Sequence, residues 1–114
     1  MTRVAVLGAG SWGTTFGKIL ADGGANVVMW ARRPELANEI HTGKRNTKYL
    51  PGINLPRTMT ATSHLAEALE GADQVYLSIP SQSLRENLAG VRPLLEGSSV
   101  PVVSLMKGVE KRTG

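Results

Sequence analysis

The chain has 114 residues, 41% apolar and 19% charged, which is enough apolar material for one domain with a core and too much for a disordered segment. Thirteen Lys and Arg against nine Asp and Glu give a net charge of +4, yet the basic residues form no helical stripe interleaved with aromatics, and one Phe, two Tyr and two Trp offer little base stacking; a small anionic ligand is favoured over nucleic acid. The lack of cysteine removes disulfide frameworks and thiolate metal sites, no apolar run approaches a membrane span, and the N-terminus does not follow a signal-peptide pattern, so the chain reads as a soluble cytoplasmic protein.

Arg3-Val-Ala-Val-Leu7 has strand character and runs into Gly8-Ala-Gly10-Ser-Trp-Gly13, a G-x-G-x-x-G turn that opens a helix. Such a turn suits the diphosphate of a dinucleotide; the alternative is a structural glycine turn in an unrelated α/β protein. Gly8 permits the tight turn, Gly10 lets the backbone approach the phosphates, and Gly13 allows the helix to pack closely on the sheet. The helix N-terminus then presents free N–H groups to the anion. Ser11 can add its hydroxyl, and Trp12 either shields the ligand or packs in the core. Trp12, Phe16, Ile19 and Leu20 recur at helical spacing until Gly23-Gly24, and a second strand, Asn26-Val-Val-Met-Trp-Ala31, follows. The whole is a βαβ unit of about 30 residues, the context the glycine pattern needs.

Arg32-Arg33 follows that strand, about 20 residues after the turn, where NAD-preferring domains carry an acid for the ribose hydroxyls. Two guanidiniums suit the 2′-phosphate of NADP instead. NADP is therefore favoured, with NAD the other candidate; the bland reading is a pair of solvated surface charges. Pro34 opens a short helix with Leu36, Ala37 and Ile40 on one face, ending near Gly43. From Thr42 to Arg57 the chain is broken by Gly43, Pro51, Gly52 and Pro56 and carries Lys44, Arg45, Lys48 and Arg57, a long loop of the functional sort.

Thr58 to Thr62 is a third strand, Ser63 caps a brief helix stopped by Gly71, and Gln74 to Ile79 is a fourth strand. Pro80 and Ser81 follow it, either as a wall beside the ligand or as the start of a helix. Ser83 and Glu86 form a capping box, and Val100 to Leu105 is the fifth strand. Lys107, just beyond it, is either a group for a substrate phosphate or carbonyl, or a surface lysine before a glycine turn. His41 and His64 lack neighbouring metal-ligating residues and suggest neither a metal site nor a general base. The alternation predicts a doubly wound parallel α/β sheet of Rossmann type in the order 3-2-1-4-5, incomplete here, with ligands beyond the carboxyl ends of its strands.

Gly8-Ala-Gly-Ser-Trp-Gly-Thr14, Trp30-Ala-Arg-Arg33, Tyr49-Leu-Pro-Gly52, Ile79-Pro-Ser-Gln82 and Lys107-Gly-Val-Glu110, in that order, resemble the N-terminal part of the NAD(P)-dependent glycerol-3-phosphate dehydrogenases of lipid biosynthesis. The resemblance covers nearly the whole chain. It implies cofactor contacts at Ser11, Trp12, Arg32, Arg33 and Tyr49, and contact of Lys107 with both cofactor and glycerol phosphate. The implied reaction interconverts dihydroxyacetone phosphate and sn-glycerol 3-phosphate, and a homodimer is implied with it.

The family's proton-transferring lysine lies in a helical C-terminal domain. Residues 1–114 are accordingly expected to be a truncated dinucleotide-binding domain with no catalytic residue of its own, unable to turn over alone. The competing readings are another dehydrogenase with the same type of domain and a non-catalytic NADPH-binding module.

Overall fold

The computed structural model describes residues 2–78 and 100–104. Among them the order is β1 (Arg3–Leu7), α1 (Ser11–Asp22), β2 (Asn26–Trp30), α2 (Pro34–Gly43), β3 (Met59–Thr62), α3 (Leu65–Leu69), β4 (Gln74–Leu77) and β5 (Val102–Ser104). The strands form one parallel sheet in the order β3-β2-β1-β4-β5, the arrangement expected. Ile79, Pro80, Ser81, the Ser83 capping box, Leu105 and Lys107 lie outside the described residues.

After Arg3, β1 is an uninterrupted apolar run, Val4 to Leu7, because it is central and covered on both faces. Its side chains alternate between two cores. Val4 and Val6 join Val27 and Met29 of β2 and Met59 and Ala61 of β3 under α1 and α2. Ala5 and Leu7 join Val28, Val75 and Leu77 on the opposite face, with Ala68 and Leu69 of α3. The register that pairs Val4 with Val27 and Leu7 with Trp30 keeps each set on its own side.

The buried face of α1 differs from the one its large apolar residues suggest. Trp12 and Ile19 are each 62% exposed, while Gly13, Thr14, Gly17 and Ala21 are buried. Small residues face the sheet because the helix sits close to it: a Cβ at Gly17 would stand 2.8 Å from Met29 Sδ and 3.1 Å from Met59 Cε. Phe16 and Leu20 flank this contact partly buried, and Phe16 meets Tyr76 edge-on with ring centroids 4.8 Å apart. Trp12 is thereby removed from the core.

Pro34 does occupy the first turn of α2, and Ala37 and Ile40 are its buried residues. The helix ends on Lys44 in the left-handed region at φ 53°, one residue past the glycine that the sequence favours as terminator. That last turn completes the outer edge of β3. His41 Nδ1 accepts the Ala61 N–H at 3.3 Å, and Lys44 Nζ donates to the Met59 carbonyl at 2.7 Å. Two side chains thus stand in for a further strand. Burial pulls the Lys44 ammonium below its ordinary pKa of 10.5.

Ser63 is not the cap of α3. His64 holds the N-cap position without a side-chain bond, while the Ser63 carbonyl accepts Trp30 Nε1–H at 3.1 Å. Gly71 follows the C-cap Glu70 and takes a positive φ of 70°, turning the chain toward β4.

Candidate functional site

All five strands are parallel, so their carboxyl ends form one edge, with Leu7, Trp30, Thr62, Leu77 and Ser104 in lateral register. The glycine turn leaves β1 at that edge. Gly8 has φ 116°, a conformation that side chains resist, and its N–H donates to the Trp30 carbonyl at 3.0 Å. This bond joins the turn to the strand end that leads into Arg32 and Arg33.

Gly10 and Gly13 do different work within the same motif. A Cβ at Gly13 would strike the Gly8 carbonyl oxygen and lie 2.9 Å from Ser78 Oγ, so this glycine lets the protein close upon itself. Gly10 is in ordinary extended geometry, φ −73° and ψ −174°, and a Cβ there would meet nothing within 4 Å. Its surroundings are open. Gly10 is also the N-cap of α1, which has neither a side-chain cap nor an acid in its first turn. The first N–H groups of a helix have no intrahelical acceptors, and an end built this way suits an anion. Ser11 and Trp12 are exposed beside it.

Arg32 and Arg33 are both exposed and make no ion pair among the described residues. Arg33 is the N-cap of α2 and gives no capping bond. A cation there faces the positive end of the helix dipole, in a position where Asp, Asn, Ser or Thr would each stabilise the helix. Local helix chemistry thus disfavours this residue. A rule broken locally without internal compensation is typical of a ligand site.

Tyr49 lies on the loop between α2 and β3, 38% exposed, with Lys48 Nζ 5.2 Å from its ring centroid. The residue that attaches this loop to the glycine turn is Asn46, fully buried and not singled out from the sequence. Asn46 Nδ2 donates to the Ala9 carbonyl at 2.9 Å and to Thr14 Oγ1 at 2.8 Å, while its Oδ1 accepts the Tyr49 N–H at 3.3 Å. The Leu50 N–H donates to the Asn46 carbonyl at 2.7 Å, closing the loop. Nothing in the residue pattern announces this role, because an Asn in a broken, polar stretch reads as a turn residue. Pro80 and Lys107 are not placed, being outside the described residues. Among the described residues no cluster of His, Cys, Asp or Glu could hold a metal, and no helix is long and apolar enough to cross a membrane.

The family model described as the NAD-dependent glycerol-3-phosphate dehydrogenase N-terminus matches residues 3–114. The chain belongs to this family. Relatives of the dehydrogenase N-terminus support the assignment. A glycerol-3-phosphate dehydrogenase [NAD(P)+] of Leifsonia xyli is 67% identical over 109 residues, 96% of this chain and 29% of its own length. Its counterpart in Nocardia farcinica is 52% identical over 117 residues, 99% of this chain and 34% of its own. The crystal structure of glycerol-3-phosphate dehydrogenase from Coxiella burnetii superposes with a TM-score of 0.82 at 30% identity, covering 90% of this chain and 31% of that one. The chain therefore spans about a third of the length of the relatives it matches. A nicotinamide dinucleotide cofactor accords with the family's description and with the glycine turn at the head of the matched region.

Proposed function

We propose that residues 1–114 act as the cofactor-binding domain of an NAD(P)-dependent glycerol-3-phosphate dehydrogenase, with NADPH favoured. Reduced nicotinamide, when bound, supplies a hydride to a carbonyl carbon, here that of dihydroxyacetone phosphate, giving sn-glycerol 3-phosphate. Gly8, Gly10, Gly13, Ser11 and the N-terminus of α1 hold the diphosphate; Arg32 and Arg33 take the 2′-phosphate. Trp12, Tyr49 and Pro80 line the cofactor, and Lys107 meets both cofactor and substrate. The proton donor belongs to a helical substrate domain outside these residues. The product feeds phospholipid synthesis in the cytoplasm, and the enzyme works as a homodimer.

One observation carries this reading: the start of α1, which has no side-chain cap, and the Arg32-Arg33 tip, without an ion pair among the described residues, open on the same sheet edge, joined through the Gly8–Trp30 hydrogen bond. Two features that each favour an anion suit a ligand bearing a diphosphate and a further phosphate. The test is to titrate NADPH and NADH into this chain, and to assay NADPH oxidation on addition of dihydroxyacetone phosphate by a protein that joins it to the substrate domain. Tight NADPH binding with no such oxidation would favour the non-catalytic module; turnover with another carbonyl substrate would favour a different dehydrogenase.

A further inference from the structure

We propose that Asn46 is a positioning residue for the diphosphate cradle: it sets the orientation of the peptide between Ala9 and Gly10 and fixes the Tyr49 loop against it. The proposal rests on the cofactor reading above. A carbonyl oxygen only accepts, so the Ala9 oxygen requires the amide nitrogen of Asn46 and fixes which way that amide faces. With two donors and its oxygen all engaged, the Asn46 side chain has almost no remaining freedom.

The consequence lies on the other side of the peptide plane. The Ala9–Gly10 bond is trans, so its N–H points opposite to its carbonyl. Drawing the Ala9 oxygen inward to a fully buried amide aims the Gly10 N–H away from the interior, on the residue whose Cβ position is open. Thr14 ties the same amide to α1. Its N–H donates to the Gly10 carbonyl at 3.0 Å while its Oγ1 accepts from Asn46 at 2.8 Å, so turn, helix and loop share one buried joint. A flipped Ala9–Gly10 peptide would present a carbonyl oxygen toward a bound phosphate. Asn46 holds the protein in the attractive alternative before ligand arrives, which removes a reorganisation cost from binding.

The experiment compares the intact protein with Asn46→Asp, Thr14→Val and Thr14→Ser, using two probes: NADPH, which carries the diphosphate, and adenosine 2′-monophosphate, which lacks it. Asn46→Asp replaces a donor by an oxygen facing Ala9 and should weaken NADPH by about 10-fold or more, with adenosine 2′-monophosphate within about 2-fold of the parent. Should that variant fail to fold, the Thr14 pair decides. Thr14→Val keeps the shape, removes one acceptor and should weaken NADPH about 3-fold to 10-fold, whereas Thr14→Ser retains the hydroxyl and should restore parental affinity. Equal losses for both probes, or no loss in either Asn46→Asp or Thr14→Val, would overturn the positioning role. Failure of the parent protein to bind NADPH would instead remove the cofactor reading itself.

Discussion

The glycine turn and the Arg32-Arg33 tip stand at the same edge of the sheet but are built in opposite ways. The turn is held from behind by the Gly8–Trp30 bond, the close approach of Gly13 to the Gly8 carbonyl, and the Asn46 amide. Among the described residues the arginine tip has no such support and no ion-pair partner. On the proposed reading a preorganised cradle and an exposed charged arm divide the work: one is limited by the fold, the other by the ligand. Substitutions in the first should therefore change stability and binding together, and those in the second should separate them.

Gly13→Ala should have the largest effect. The added methyl meets a backbone carbonyl, which cannot move aside as a side-chain tip can, so overpacking costs on the order of 3 kcal/mol. Urea denaturation would read the loss, and NADPH affinity should fall with it. Retention of parental stability would show that the turn is less rigidly closed than its geometry implies.

The arginine tip should behave in the contrary way. Arg33→Asp places a good N-cap at the start of α2 and reverses an unfavourable charge–dipole contact, so stability should rise by about 0.5–1 kcal/mol. On the proposed cofactor reading, in which both guanidiniums take the 2′-phosphate, NADPH affinity should drop by about 100-fold because a carboxylate replaces one of them, while NADH should change by less than about 3-fold. Thermal denaturation and parallel titrations give both numbers. A drop in stability, or equal losses for the two cofactors, would contradict the division drawn here.

How far this was legible in the sequence depends on the range of the interaction. Sheet order, the Pro34 start of α2 and the basic strand tip follow from periodicity and from residues whose chemistry is local. The exposed faces of Trp12 and Ile19 were hidden because large apolar residues signal burial more strongly than Gly13 and Gly17 do, although at a close helix–sheet contact it is the small residues that face inward. Asn46 was hidden for a different reason. Its partners Ala9 and Thr14 are remote in sequence, and a side-chain amide on a long-range carbonyl leaves no local trace. His41 and Lys44 likewise gain their roles only once β3 lies beside them.

Gly10→Ala sharpens the comparison within the turn itself. Ala tolerates the extended backbone and meets no atom within 4 Å, so the folded state has room for it. It loses less unfolded-state entropy than Gly but is a poorer N-cap, and the two terms leave stability within about 0.5 kcal/mol of the parent. On the proposed cofactor reading the methyl projects into the open side where the diphosphate approaches, and NADPH should bind about 10-fold more weakly. Unchanged NADPH affinity would remove Gly10 from the cradle and leave Gly13 as a purely structural glycine.

Gly17→Ala should have the smallest effect, and its value lies in the contrast with Gly13. Both glycines sit on the buried side of α1, and a Cβ at either would be too close to a neighbour. At Gly17, however, the neighbours are Met29 Sδ at 2.8 Å and Met59 Cε at 3.1 Å, the ends of flexible thioether side chains. Replacing a helical Gly by Ala returns roughly 0.5–1 kcal/mol of helix propensity. Shifting two buried methionines costs about 1 kcal/mol, so the net change should lie within about 1 kcal/mol of zero. NADPH affinity should not move, because Gly17 faces the sheet beneath α1 and not the open side of the turn. A loss as large as that of Gly13→Ala would mean that the methionine layer is as unyielding as the backbone of the turn, and the rigidity assigned to the cradle would then extend along the whole helix.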